Sequence, residues 1–137
     1  MGAPREEVWE VVSDPYHLPR WWPRVERVEE VTDDAWTKVM ISSRGRAVRL
    51  DYTRLESEPP RRLVWRHEVD ESPFERLLAD SITEIELEPA GDRGTAVRMT
   101  MDQRLRGKAR FGRMMVRRAA RRQLDDALDG LRRAFGP

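Results

Sequence analysis

Between Val25 and Leu105 the apolar residues recur at every second position, the period of strands that bury one face. In 37–43, Thr37, Val39 and Ile41 alternate with Lys38 and Met40, and in 47–55, Val48, Leu50 and Tyr52 alternate with Arg49 and Asp51. Further on, Leu63, Trp65, His67 and Val69 oppose Val64, Arg66 and Glu68, while Thr83, Ile85 and Leu87 oppose Glu84, Glu86 and Glu88. A last run sets Val97, Met99 and Met101 against Arg98, Thr100 and Asp102. Turn residues separate the runs at 33–35, 43–46, 57–62 and 90–95. This pattern predicts an antiparallel meander with one wet face and one apolar face.

At both ends of the chain the period becomes helical. Pro4 suits the first helical position, Glu6 and Glu7 fall in the first turn where the helix dipole favours acids, and Val8, Val11 and Val12 form a stripe with Trp9 beside it. Asp14 followed by Pro15 repeats the start signal for a second short helix, Pro15 to Trp21, kept short by Pro19 and Pro23. The segment 108–137 predicts a long helix, with Val116, Ala120, Leu124, Ala127, Leu128, Leu131 and Phe135 on one stripe and Gly136 and Pro137 at its end. The fold class expected is α+β: a curved antiparallel sheet wrapped around a long C-terminal helix, with two short helices near the N-terminus. At 137 residues the chain is expected to form one domain, 1–137.

Composition removes several kinds of chemistry. The chain has no cysteine, which excludes disulfides, thiolate nucleophiles and Cys-based zinc sites. His17 and His67 lie far apart in sequence without a carboxylate at ligand spacing, so neither a metal nor another cofactor is expected. No apolar run reaches the ~20 residues of a membrane span, and the start lacks the apolar stretch of a secretory leader, which together predict a cytoplasmic protein without an integral membrane segment. The net charge is +1, and arginine is spread along the chain with Lys38 and Lys108 as its lysines; this argues against a nucleic-acid partner. The stretch from Arg104 to Arg122 holds nine basic residues and no acid, with Phe111 as its one aromatic side chain. Its helical part reads as a solvated face whose Arg121 and Arg122 pair with Asp125, Asp126 and Asp129, with Arg133 joining from the other side; contact with an anionic membrane or another polyanion is the competing reading.

His67 shares a strand face with Leu63 and Trp65 and should point inward near Tyr52. It reads either as a hydrogen-bonded interior histidine or as a ligand-orienting group, and it is the weak candidate for acid–base catalysis. Met99, Met101, Met114 and Met115 read either as core or as an adaptable apolar wall. Trp21 and Trp22 are expected to pack one ring under the last helix and the other over the start of the meander.

The segment "APREEVWEVVSDPYHLPRWWPRVERVEEV", the hairpin "TEIELEPAGDRGTAVRMTM" and the terminal helix resemble bacterial polyketide cyclase/dehydrase-like proteins of the START-related (SRPBCC) superfamily, which includes the pollen-allergen fold. The resemblance covers essentially the whole chain and implies the helix-grip fold. It implies binding of a small hydrophobic molecule, a lipid or an aromatic polyketide, between sheet and helix, with Tyr52, Trp65, His67, Ile85, Met99, Met101 and Met115 as the expected contacts. Two alternatives come with it: a polyketide aromatase/cyclase using pocket acid–base residues, and a chaperone-activator-like interaction module whose cavity is filled, the latter similar around Trp21, Trp22 and Pro23. Members of the family usually begin with a strand ahead of the first helix, and here Met1 lies almost on that helix. Either the start is assigned late or the sheet lacks its first strand; in the second case the sheet exposes an edge, which favours a homodimer or a destabilised monomer.

Overall fold

The structure is a computed structural model that describes residues 1–70, 72, 74–107 and 112–137. Six strands, β1 (Val25–Glu29), β2 (Ala35–Ile41), β3 (Ala47–Glu58), β4 (Arg62–His67), β5 (Leu78–Ala90) and β6 (Gly94–Leu105), form one antiparallel sheet in which each pairs with the next. Register shifts between Val25 and Arg27, Arg54 and Glu56, and Leu78 and Asp80 bend the sheet, because a bulge adds a residue to one strand and increases its local twist. Ahead of the sheet come α1 (Arg5–Val12) and a turn of 3-10 helix (Pro15–His17) that runs into α2 (Leu18–Trp21); after it comes α3 (Arg113–Phe135). The architecture is the helix-grip arrangement that the alternation and the helical ends predict.

Local signals place the helices almost where the sequence puts them. Pro4 is the residue before the first helical position, one step earlier than predicted, and Asp14 accepts a hydrogen bond from the Tyr16 backbone N–H at 3.0 Å. The core lies between the concave sheet face and the helices. Leu50, Tyr52, Leu63, Trp65, Ile85 and Leu87 meet Val8, Val12, Leu18, Trp21 and Trp22 together with Ala127 and Leu131 of α3.

Strand β2 departs from its predicted phase. Trp36 is buried in the main core, so Lys38 and Met40, two and four residues on, share its concave face. Thr37 and Val39 are also buried, but on the opposite face, where Thr37 donates to Asp51 at 2.6 Å; Ile41 is exposed. A strand covered on both sides carries apolar residues at successive positions, and two-residue alternation then loses its meaning.

Trp21 lies at the last helix as expected, whereas Trp22 packs on the middle of the meander rather than over its start. Trp21 is 2% exposed and its backbone lies directly against Gly130 of α3, while Trp22 meets Trp65 of β4 edge-on at 5.6 Å between ring centroids. Arg54 of β3 ties this end together, donating to the Ser13 carbonyl at 2.5 Å just before the second short helix.

The N-terminus is held at the outer edge of β6. The Met1 amino group donates to the Thr95 carbonyl at 2.8 Å and the Thr95 N–H donates to the Met1 carbonyl at 2.9 Å, a one-residue antiparallel bridge. Thr95 Oγ1 also donates to the Ala3 carbonyl at 2.7 Å. Beyond this bridge, β6 from Val97 onward pairs with β5 alone among the described residues.

Candidate functional site

The concave face has a packed half and an open half. In the packed half, Trp36, Tyr52 and His67 stand opposite one another on β2, β3 and β4. Trp36 and Tyr52 stack with centroids 5.8 Å apart, Tyr52 and His67 stack at 5.0 Å, and Phe74 meets His67 edge-on at 5.8 Å. One step past the Arg66–Ile82 pair the row continues to Ser81 and then to Gln103, whose Nε2 donates to Ser81 Oγ at 3.3 Å. A polar line therefore crosses the floor of the cup from β3 to β6.

Lys38 projects into this half and was missed by the sequence reading, which assigned it to the wet face. It is 3% exposed, and its Nζ lies 4.8 Å from the Tyr52 ring centroid and 5.3 Å from that of Trp22. No described residue gives it a carboxylate or a hydrogen bond. Burial alone pulls its amine down from 10.5 to about 7, because the charged form has lost its water without gaining a counter-ion. The available signal was Trp36, since a phase counted from that residue puts Lys38 inward.

Burial also pushes the Tyr52 phenol above its ordinary value. For His67, burial and then the nearby Lys38 charge lower the imidazole to about 4, against a smaller opposing pull from Asp51. His67 is neutral at pH 7, and its Nε2 is buried without a hydrogen-bond partner. Between pH 6.5 and 4 the unfolded chain binds a proton that the folded chain does not, so stability should fall as pH drops through that window. The ceiling is about 3 kcal/mol for a shift of this size, and a loss of about half that is expected for a group near the rim of the core. His67→Phe should flatten the dependence in urea titrations at pH 6.5 and pH 4.5; an unchanged slope would assign it to the carboxylates.

The open half is a groove of about 910 Å³ between β6 and the first two-thirds of α3. Met99, Met101 and Leu105 face Val116, Ala120, Leu124 and Leu128 across it. Arg104, Arg113, Arg117, Arg121, Asp102 and Asp125 mark its polar rim, and Gln103 brings the end of the polar floor line into it. The helix supplies this wall because its apolar stripe continues past Ala127 and Leu131, where it is fully buried, toward residues the sheet does not cover.

Of the expected contacts, Met99 and Met101 line the groove. Tyr52, Trp65, His67 and Ile85 lie in the packed half. Met115 is displaced from the expected set: it is 75% exposed, as is Met114, because both point around the helix from the Val116–Ala120 stripe. The expected ion pairs of Arg121, Arg122 and Arg133 with the aspartates are not formed among the described residues, where Asp129 pairs instead with Arg132 at 2.8 Å. Exposed pairs of long side chains gain little, so sequence spacing alone does not select them. Phe111, Lys108 and Arg110 of the basic stretch lie outside the described residues.

The described residues contain no group of three or more histidine or acidic side chains able to hold a metal, and no described helix is long and apolar enough to cross a membrane. The family model for polyketide cyclase/dehydrase and lipid transport matches residues 1–136. The chain belongs to that family. Solved structures share the fold of this chain. A protein from Deinococcus radiodurans is 25% identical over 90% of each chain, with a TM-score of 0.59. A START superfamily protein from Mycobacterium smegmatis is 13% identical, with a TM-score of 0.78 over 98% of this chain and 91% of that one. The di-domain aromatase/cyclase StfQ of the steffimycin biosynthetic pathway is 15% identical, with a TM-score of 0.76 over 98% of this chain and 47% of its own length. No curated protein matches the sequence.

Proposed function

We propose that this member of the polyketide cyclase/dehydrase and lipid transport family binds a small hydrophobic molecule in the groove between β6 and α3. The observation that carries the reading is the groove itself: about 910 Å³ of space floored by Met99, Met101, Leu124 and Leu128, in the size range of small-molecule sites. Burial of apolar ligand surface, worth ~25 cal/mol per Å², supplies the affinity, and the methionines adapt to its shape. Tyr52 and His67 are packed under tryptophan and phenylalanine rings rather than lining the groove, so the cyclase alternative has less support than binding. The filled-cavity alternative describes the packed half but not the open one.

Native mass spectrometry of freshly purified protein, with organic extraction of whatever travels with it, tests the reading. A discrete apolar adduct that leaves on denaturation is the expected result. Ala120→Trp places an indole in the groove and should reduce uptake at least about tenfold while leaving the thermal midpoint within a few degrees, since the added ring enters open space. Unaltered uptake by that variant would move the binding site elsewhere. Among the described residues β6 pairs with β5 alone from Val97 onward, and pairing of two copies along that edge is the assembled form we propose, with sedimentation equilibrium as its test.

A further inference from the structure

The rim of the groove has a charge order that its apolar floor does not require. Arg113, Arg117 and Arg121 recur every fourth residue, so they stack in one row about 12 Å long beside the apolar row Val116, Ala120, Leu124 and Leu128. The next member of the arginine row is Asp125, and the sign of the charge reverses there. On the facing strand Arg104 and Gln103 lie toward the end of β6, close to Leu105, while Met99 and Met101 lie further back. The groove is thus basic at the end where β6 finishes and α3 starts, and apolar toward Leu124 and Leu128.

Among the described residues none forms a salt bridge or hydrogen bond with Arg113, Arg117 or Arg121, although Asp125 is four residues from Arg121. The first turn of α3 has no acidic residue and no side-chain cap, which leaves the positive end of the helix dipole at the same place. Three unpaired guanidinium groups beside open apolar space form an arrangement complementary to an acidic head with an apolar tail.

We propose that the ligand of the groove is a single-chain lipid with a terminal anion, its head held by Arg113, Arg117 and Arg121 and its chain lying over Met99, Met101, Leu124 and Leu128. This rests on the groove being the hydrophobic binding site and adds to it the chemistry of the head. Asp102 and Asp125 on the rim limit the excess positive charge, which suits one anionic group rather than a polyanion. Arginine forks donate paired hydrogen bonds to a carboxylate or to a phosphate monoester, so the head chemistry is the shared oxyanion.

Titration calorimetry below micellar concentration with dodecanoate, dodecyl phosphate and dodecanol tests the proposal. The acid, the phosphate or both should bind at least about tenfold tighter than the alcohol at low salt, and the margin should shrink as salt screens the rim. Whichever anion binds better identifies the head. In R113Q/R117Q/R121Q the margin should disappear while dodecanol affinity stays within about twofold, because the apolar floor is untouched. Equal binding of alcohol and anions to the unaltered protein would overturn the anionic head and leave the hydrophobic site standing. A preference for anions that survives the triple substitution would overturn the assignment to this row. Failure of all three probes to bind would remove the groove reading and the head together.

Discussion

Lys38→Met is expected to stabilise the protein at pH 7 by roughly 2–4 kcal/mol, about 10 °C in thermal midpoint. The substitution keeps the length of the side chain and removes an ammonium group that is buried without a counter-ion. Lowering that amine from 10.5 to about 7 corresponds to a ceiling of roughly 5 kcal/mol against folding at neutral pH. Attraction to the Tyr52 and Trp22 ring faces offsets about 2 kcal/mol of it. The sign of the pH dependence follows from proton counts. Between pH 7 and 10.5 the unfolded chain carries a proton on Lys38 that the folded chain has released, so the stability of the unaltered protein rises with pH across that interval. The advantage of Lys38→Met should therefore be full below pH 7 and close to nothing near pH 10.5. Urea midpoints at pH 7 and pH 10 measure it. A variant less stable than its parent at pH 7 would mean that the aromatic cage holds the cation more strongly than desolvation expels it.

Gly130→Ala should act in the opposite direction and destabilise by about 3 kcal/mol. Alanine at a helix interior normally gains about 1 kcal/mol over glycine. Here a β-carbon would come within 2.9 Å of the Trp21 Cα and carbonyl carbon and closer still to its oxygen, all of them backbone atoms that cannot swing aside. The clash outweighs the helix propensity, and α3 must lift from α2, disturbing the cluster of Trp21, Trp22 and Leu131. An exposed site on the same helix serves as reference: Arg122→Ala should leave the midpoint nearly unchanged. Equal midpoints for Gly130→Ala and Arg122→Ala in thermal unfolding would show that the helices pack less closely than 2.9 Å implies.

The sheet was legible because β3, β4 and β5 each bury one face strongly, and residues such as Leu50, Trp65 and Ile85 announce that face through alternation. Strand β2 was misread for a local reason. The alternation of Thr37 and Val39 marks the convex side of β2, where both are buried, and so hides the inward position of Lys38. The groove depends on how far α3 stands from β6, a tertiary distance with no sequence period. The apolar stripe of α3 predicted Ala127 and Leu131 as core and gave no sign that Val116 and Ala120, on the same stripe, face open space. Met115 has the chemistry of an adaptable wall, but its place one residue before the Val116 stripe turns it away from the groove. The sequence shows a basic stretch whose Arg121 is expected to pair with aspartates; the row of Arg113, Arg117 and Arg121 along the groove, and its lack of partners among the described residues, appear only once side chains have positions.

The bridge between Met1 and Thr95 has a practical consequence for anyone who handles the protein. In an antiparallel bridge, residues placed ahead of Met1 advance along β6 in the direction of Val97, Met99 and Met101. A purification tag fused at the N-terminus is thereby delivered to the side of that strand that pairs with no other described strand, beside the groove, where it can add itself to the sheet as an artificial neighbour. Its sequence would then influence oligomer size and compete with any molecule presented to the groove. Tags attached after Pro137 begin from the far end of α3 and avoid that interference.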